Sequence, residues 1–302
     1  MAMNRAQFKK QLQAGLNSIF GLEYRRHPER WRRYLDVETE SQKAYVEDVL
    51  TAGFGAAATK AEGAGVTYAT TAEVYTARYI FETIALAFAI TEEAEEDNLY
   101  GSVGAKLSKA LARSMQHTKA VKGANVINNG FDSTYPGGDG QELFSVDHPV
   151  RMGGVQSNTF STGADLSETS LEDMLVNIGN ALDDQGIPVA LTPGILGIAV
   201  ANKFVAHRIL RSSLQNDTAE NAVNAIRDMG ILGQYVADER FTDPDAWFIK
   251  TDCPDGLKHI VRKGVSKKIE GDFETGNMRY KSRERYINGF SDWRGAYGSP
   301  GG

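Results

Sequence analysis

The sequence predicts an α+β protein, with helices and strands in separate stretches of the chain. Three observations carry this. Phe8, Leu12, Leu16, Ile19 and Phe20 recur at helical spacing, as do Leu99, Val103, Leu107, Leu111 and Met115. Val74, Thr76, Arg78 and Ile80 alternate with Tyr75, Ala77, Tyr79 and Phe81, which is the period of a strand. Glycine-rich punctuation, from 31 glycines in 302 residues, separates the periodic segments.

The elements follow in chain order. A short amphipathic helix opens the chain, and Pro28 interrupts the basic stretch "YRRHPERWRRYLDV" behind it. Residues 36–51 are charged, with apolar Val37, Tyr45, Val46 and Leu50, and read as a further helix or arm segment. "GFGAAATKAEGAG" is small-residue and flexible, and Val66 and Tyr68 then begin an alternation that reads as the long strands of a protruding hairpin. A lone hairpin is marginal in water, so this one needs a surface, for which a neighbouring subunit is the natural candidate. A long helix is expected over 92–120, with acids crowding its first turns and bases later, as the helix dipole favours.

Residues 128–168 are loop-rich. A second helix is expected over 169–186, with Ser170 and Asp173 as a capping pair. "IPVALTP" and "ILGIAVA" read as buried strands, and "NKFVAHRILRSS" as a helix capped by Asn202. Two short strands flank the Asp-Pro turn of "GQYVADERFTDPDAWFIKT". "GLKHIVRKGV" and "NMRYKSRERYINGF" give late strands, and "SDWRGAYGSPGG" ends in flexible glycine.

Composition excludes several classes. The longest apolar run, Ile84 to Ile90, is far short of the ~20 residues of a membrane span. No secretion signal is read at the N-terminus. Cys253 is the only cysteine, which rules out intrachain disulfides and cysteine-based zinc sites and fits a reducing compartment. Net charge is −6, distributed unevenly: residues 1–35 hold eight Lys/Arg and two acids, so the rest of the chain carries −12. A basic arm on an acidic body suits a neighbouring subunit or nucleic acid.

The chemical motifs are weak. "GFGAAA" (53–58) resembles a dinucleotide fingerprint, but it lacks the strand before and the helix after that would aim its N–H groups at a pyrophosphate. The five histidines are scattered, and the carboxylates nearest His148 in sequence (Asp132, Asp139, Glu142 and Asp147) follow no regular cation-loop spacing, so no metal or other cofactor is expected. Asp147 and His148 invite an acid–base reading, that of a hydrolase or metal-dependent enzyme. Yet adjacent residues of extended backbone point to opposite sides, and Pro149 biases His148 toward that conformation. The favoured reading is a structural turn formed by Phe144, Asp147, His148 and Pro149, with Phe144 buried and no catalysis.

Together, "DGQELFSVDHP", "SNTFSTGADLSETSLEDML", "GIPVALTPGILGIAVANKFVAHRIL" and "YVADERFTDPDAWFIKTD" resemble the major capsid proteins of tailed bacteriophages, nearest the Mu-like major head subunits, with the Hong Kong 97-type capsid fold. The resemblance covers about residues 50–295. It implies a basic N-terminal arm (1–50), an extended hairpin loop (51–90), a spine helix with the first part of a peripheral domain (91–168), an axial domain (169–250), and a return to the peripheral domain with the tail (251–302). On this resemblance Asp139, Gly140, Leu143, Phe144, Asp147, His148 and Pro149 match the loop leaving the spine helix. Pro188 and Leu191 match the first axial strand, and Pro244, Ala246, Trp247 and Phe248 the closing one.

The implied function is a shell of pentamers and hexamers around double-stranded DNA, located in the virion and made in the host cytoplasm. An encapsulin-like compartment housing an enzyme is the alternative within the fold. Candidate intersubunit contacts are Arg25, Arg26, Arg32, Arg33, Tyr68, Tyr75 and Arg78. The start lacks the long charged prefix that serves some members as a built-in scaffold, so separate scaffolding and portal proteins are expected as partners. Some members join Lys to Asn between subunits; nothing marks Lys60, in the hairpin loop, for that role.

Overall fold

The computed structural model describes residues 5–40, 42–91, 93, 100–151, 153–215, 222–271 and 276–302. Its N-terminal part comprises α1 (Arg5–Arg26), a 3-10 turn (Arg30–Arg33), β1 (Asp36–Thr39), β2 (Tyr45–Ala52), β3 (Ala72–Ile80), β4 (Glu82–Ile90) and α2 (Tyr100–Asn128). The middle holds β5 (His148–Pro149), β6 (Val155–Gln156), α3 (Glu168–Gly179), β7 (Pro193–Ala199), α4 (Lys203–Arg211), α5 (Ala225–Asp228) and β8 (Gln234–Asp238). The chain closes with β9 (Trp247–Thr251), β10 (Leu257–Gly271), β11 (Met278–Phe290), a 3-10 turn (Trp293–Gly295) and β12 (Ala296–Ser299). Among the described residues, no helix is long and apolar enough to cross a membrane.

Two four-stranded sheets organise these elements. The first runs β1-β10-β11-β4, antiparallel except where β1 lies parallel to β10. Strict alternation along β11 buries Met278, Tyr280, Ser282, Glu284 and Tyr286 on one face. Helices α1 and α2 cover that face, packing Leu16, Phe20, Leu111, Ala112 and Met115 against Met278 and Tyr280. The second sheet runs β12-β9-β7-β8 and shares a core with α3, α4, Trp293 and Tyr297. A third core joins the sheets, built from Trp31, Tyr34, Leu35, Ile127, Leu143, Phe144, Phe248, Leu257 and Ala296.

Several expectations are corrected. Residues 36–39 and 45–52 are strands, not helix. The apolar spacing of Tyr45, Val46 and Leu50 suited a helix, but β3 supplies an antiparallel partner, pairing Tyr45 with Ile80 and Ala52 with Ala72. The ribbon is therefore β2–β3, and Val66–Ala69 is irregular within a loop, 53–71, whose residues are all exposed. β4 leaves the ribbon and joins the first sheet beside β11. Helix α2 runs on to Asn128. Its buried face turns away from Val103, which is 43 % exposed, toward Ser108, Ala112, Gln116, Lys119 and Gly123. Gly123 is required there, since a Cβ would strike Trp31. Leu99, most of the acidic run before it, and residues 216–218 lie outside the described residues.

Ser167, not Ser170, caps α3: its hydroxyl accepts from the Ser170 N–H, and the Ser170 hydroxyl accepts in return from the Ser167 N–H. The helix stops at Gly179, before a turn in which the Asp183 carboxylate accepts the N–H groups of Gln185 and Ile187. Between that turn and Pro193, Pro188 makes a single bridge to Leu182, and the strand begins only at Pro193. Asn202 precedes α4 without capping it and instead donates its side-chain N–H to the Pro244 carbonyl. The final residues are not a loose tail, for β12 is buried and pairs with β9.

One ion pair is buried where helix meets sheet. Lys119 of α2 donates to Glu284 of β11 at 2.8 Å, and the Tyr24 hydroxyl donates to the other Glu284 oxygen at 2.8 Å. The rings of Tyr24, Trp31 and Tyr286 surround the ammonium at 5.3–5.8 Å. Removing one partner strands a buried charge, whereas removing both leaves only the neutral Tyr24 hydroxyl without its partners. Lys119→Met should therefore lower stability by about 3 kcal/mol or more in urea unfolding. Adding Glu284→Leu to it should recover most of that loss.

Candidate assembly surfaces and the junction behind them

The stretch "ELFSVDHP" leaves α2 through a tight corner. The Phe144 N–H donates to the Gly130 carbonyl at 2.8 Å, and the Phe144 ring lies where a Cβ on residue 130 would sit. Phe144 also stacks on Phe131 at 4.5 Å. Asp147 is exposed and His148 fully buried, as extended backbone requires of neighbours. Pro149 is exposed beside it in β5.

His148 is bound to partners other than Asp147. Its Nδ1 lies 2.6 Å from Asp139 Oδ2 and its Nε2 3.2 Å from Asn158 Oδ1, both within hydrogen-bond distance. The ring lies flat on Trp293, at 4.3 Å and 4°. Asn158 is the hub that sequence reasoning missed. Its amide nitrogen reaches the carbonyls of Leu143, Trp293 and Ala296, while its oxygen also accepts the Ser145 N–H. No signal within the sequence marks it, because its partners are 10 to 138 residues away. Asp132 caps its own turn through Thr134 and does not approach His148. Among the described residues no group of His, Cys, Asp and Glu could hold a metal ion.

The arm is fastened to the body. Trp31 packs on Gly123 of α2 and lies 4.2 Å from the His259 ring. Arg30 donates to the Ala237 carbonyl, and Arg33 to Gln234 and the Tyr235 carbonyl. Arg32 pairs with Glu29 and sits over Trp31. Arg78 pairs with Glu47 directly across the ribbon and covers Tyr45. Tyr75 packs over Gly138. Of the residues singled out as contacts between subunits, Arg25, Arg26, Arg32, Arg33, Tyr68 and Arg78 are exposed, and Arg25 donates its Nε–H to the Gly21 carbonyl of its own helix. Arg26 is only loosely paired with Glu23, and Tyr68 is 93 % exposed.

Two outcomes follow. His148→Ala should strand the buried Asp139 carboxylate and remove the Trp293 stack, lowering stability by about 3 kcal/mol, read as a depressed melting temperature. Burial holds the His259 pKa down to about 4, with Lys119 and Arg32 adding to the effect. Its ring is neutral in the fold, while an unfolded histidine titrates near 6.5. Stability from this group is full above about pH 6.5 and is lost as pH falls toward 4, by roughly 3 kcal/mol. Denaturant midpoints between pH 4 and 7 should show this slope, and His259→Gln should reduce it.

A family model described as phage capsid protein matches residues 75–299. No curated protein sequence matches the chain. Among solved structures, the virus-like particle from Pyrococcus furiosus is similar over 94 % of this chain and 97 % of its own, at 12 % identity and a TM-score of 0.52. The capsid of an empty GTA particle is similar over 89 % of each chain, at 11 % identity and a TM-score of 0.53. The procapsid of bacteriophage JBD30 covers 96 % of this chain and 75 % of its own, at 16 % identity and a TM-score of 0.50. These likenesses are of fold, and the fold is the Hong Kong 97 type. With well over half of its length matched by the family model, the chain belongs to the phage capsid protein family and is a major capsid shell protein.

Proposed function

We propose that this chain assembles into pentamers and hexamers that close into a virion shell around double-stranded DNA. The observation that carries the reading is the loop 53–71. All its residues are exposed, including Phe54 at 60 %, Val66 at 68 % and Tyr68 at 93 %. Burying each such side chain is worth about 1.5–3 kcal/mol, and none of the described residues covers them. A neighbouring copy would, and a shell repeats that contact at every subunit. The exposed Arg25 and Arg26 offer a second contact, to a neighbour or to DNA phosphates.

The proposed role is structural rather than enzymatic, which the split between exposed Asp147 and buried His148 supports. A separate scaffolding protein and a portal are the proposed assembly partners, with synthesis in the host cytoplasm. Within the family, the Mu-like head subunits are the proposed subgroup, on the collinear stretches from "DGQELFSVDHP" to "YVADERFTDPDAWFIKTD".

Replacing residues 54–71 with a two-residue turn tests the reading, because it keeps the β2–β3 pairing. The expected product is a soluble subunit with unchanged circular dichroism that forms no closed shells by negative-stain microscopy. Normal shells from this variant would contradict the proposal.

A further inference from the structure

The second sheet ends in β8, and the free edge of that strand is lined by arginines. Among the described residues β8 pairs with β7 along one side only. The carbonyls of Gly233, Tyr235 and Ala237, at alternate positions, point the other way. Arg211 of α4 donates to the first at 3.4 Å, Arg33 to the second at 3.2 Å and Arg30 to the third at 2.9 Å. Two steps of a strand span about 6.6 Å, so three guanidiniums are anchored along a row of carbonyls roughly 13 Å long. Arg33 uses two of its five N–H donors, on Tyr235 and Gln234, and is exposed. Helix α4 extends the charge. Lys203, His207 and Arg211 recur every four residues on one helix face, and all three are exposed. The His207 ring lies edge-on to Tyr235 at 6.3 Å, which sets that face beside the same edge. Between helix and arm opens a cleft of about 410 Å³, lined by Arg30, Arg33, Lys203 and Tyr235. Glu239 is the one carboxylate among its described lining residues, and Arg30 and Arg240 both pair with it.

We propose that this cleft binds the phosphodiester backbone of double-stranded DNA. The proposal takes its ligand from the shell reading, on which it rests, and names the surface of the subunit that meets it. A guanidinium fork matches a phosphate in shape as well as in charge. Arg33 and Arg211 are anchored by carbonyls, which fix a side chain without cancelling its charge. Phosphates of one DNA strand recur every ~3.4 Å of helix axis, so a row of this length meets several of them. The exposed Lys203 and the Tyr235 hydroxyl are further phosphate donors. Phosphate contacts carry no sequence information, which suits a protein that meets whatever sequence is packaged. The concentration of cations is local, on a chain whose net charge of −6 repels DNA as a whole. The same arginines occupy the carbonyls that an added strand would need, so the edge is closed to a peptide docking by strand addition.

The test is fluorescence anisotropy of a short labelled duplex of arbitrary sequence, titrated with the purified full-length subunit over a range of salt. Arg30 and Arg33 also hold the arm, so the cleft variant is Lys203→Gln/Arg211→Gln. Lys268→Gln/Lys281→Gln, on the first sheet, is the control of equal charge change. The cleft variant should keep the parent's circular dichroism and melting temperature and bind the duplex at least ~10-fold more weakly at low salt. Its slope of log affinity against log salt should be smaller by about 1.8, or ~0.9 for each cation removed. The control should bind like the parent, and Lys203→Arg/Arg211→Lys, which keeps the charge, should bind within a few-fold of it. A parent that does not bind the duplex, equal losses in the cleft and control variants, or parent-like binding by the cleft variant would each overturn the proposal. So would a cleft variant that binds the duplex like the parent but no longer forms shells with its scaffold, which would assign the cleft to an acidic protein segment. The binding assay does not need shells, so a parent that forms none strikes the shell reading, while the loss in the cleft variant still supports the site.

Discussion

The two sheets are held in register by one buried amide. Asn158 spends its nitrogen on the carbonyls of Leu143, Trp293 and Ala296, and its oxygen on the Ser145 N–H and His148. Leu143 and Ser145 belong to the segment leaving α2, which lies on the first sheet. Trp293 and Ala296 lie where the chain passes from β11 of the first sheet to β12 of the second. A subunit that must fit identical neighbours needs a fixed angle between its two halves, and a saturated polar hub supplies one more sharply than apolar packing alone. Asp139, His148 and the Trp293 ring brace that hub from one side.

Around this junction the body is closely packed, and the exposed apolar side chains of the 53–71 loop lie away from it. The arm is held through Arg30, Arg33 and Trp31, and the ribbon through Asp48, whose carboxylate accepts from Lys258 and Ser291. The 53–71 loop remains exposed. A block with an uncovered loop carrying Phe54, Val66 and Tyr68 is an incomplete object. Its missing contact is of a kind that other copies supply, apolar and aromatic burial, which is weak singly and strong when repeated.

Much of this was legible in the sequence. The alternation of "NMRYKSRERYINGF" announces β11, and the stripe through Leu111 and Met115 announces α2. The collinear stretches from Asp139 to Asp252 carried the family. The losses have physical causes. β2 has no buried face of its own, so its apolar residues fitted a helix until β3, twenty residues on, fixed their state. The last strand was hidden by the glycines around it, although Trp293 and Tyr297 are core residues. At the candidate contacts, charge alone marked Arg25, Arg33 and Arg78, and only the fold shows that each also bonds within its own chain. His148 drew notice through Asp147, its neighbour in sequence, but its partners are Asp139, Asn158 and Trp293. Proximity in space, which spacing does not encode, decided that site.

The central claim is that this subunit is completed by copies of itself. Cryo-electron microscopy of particles from the unaltered chain, co-expressed with its scaffolding partner, tests it most directly. The account predicts closed shells of five- and six-fold capsomers, with density for residues 53–71 lying on an adjacent subunit. Persistent monomers, or shells in which that loop contacts only its own chain, would contradict it.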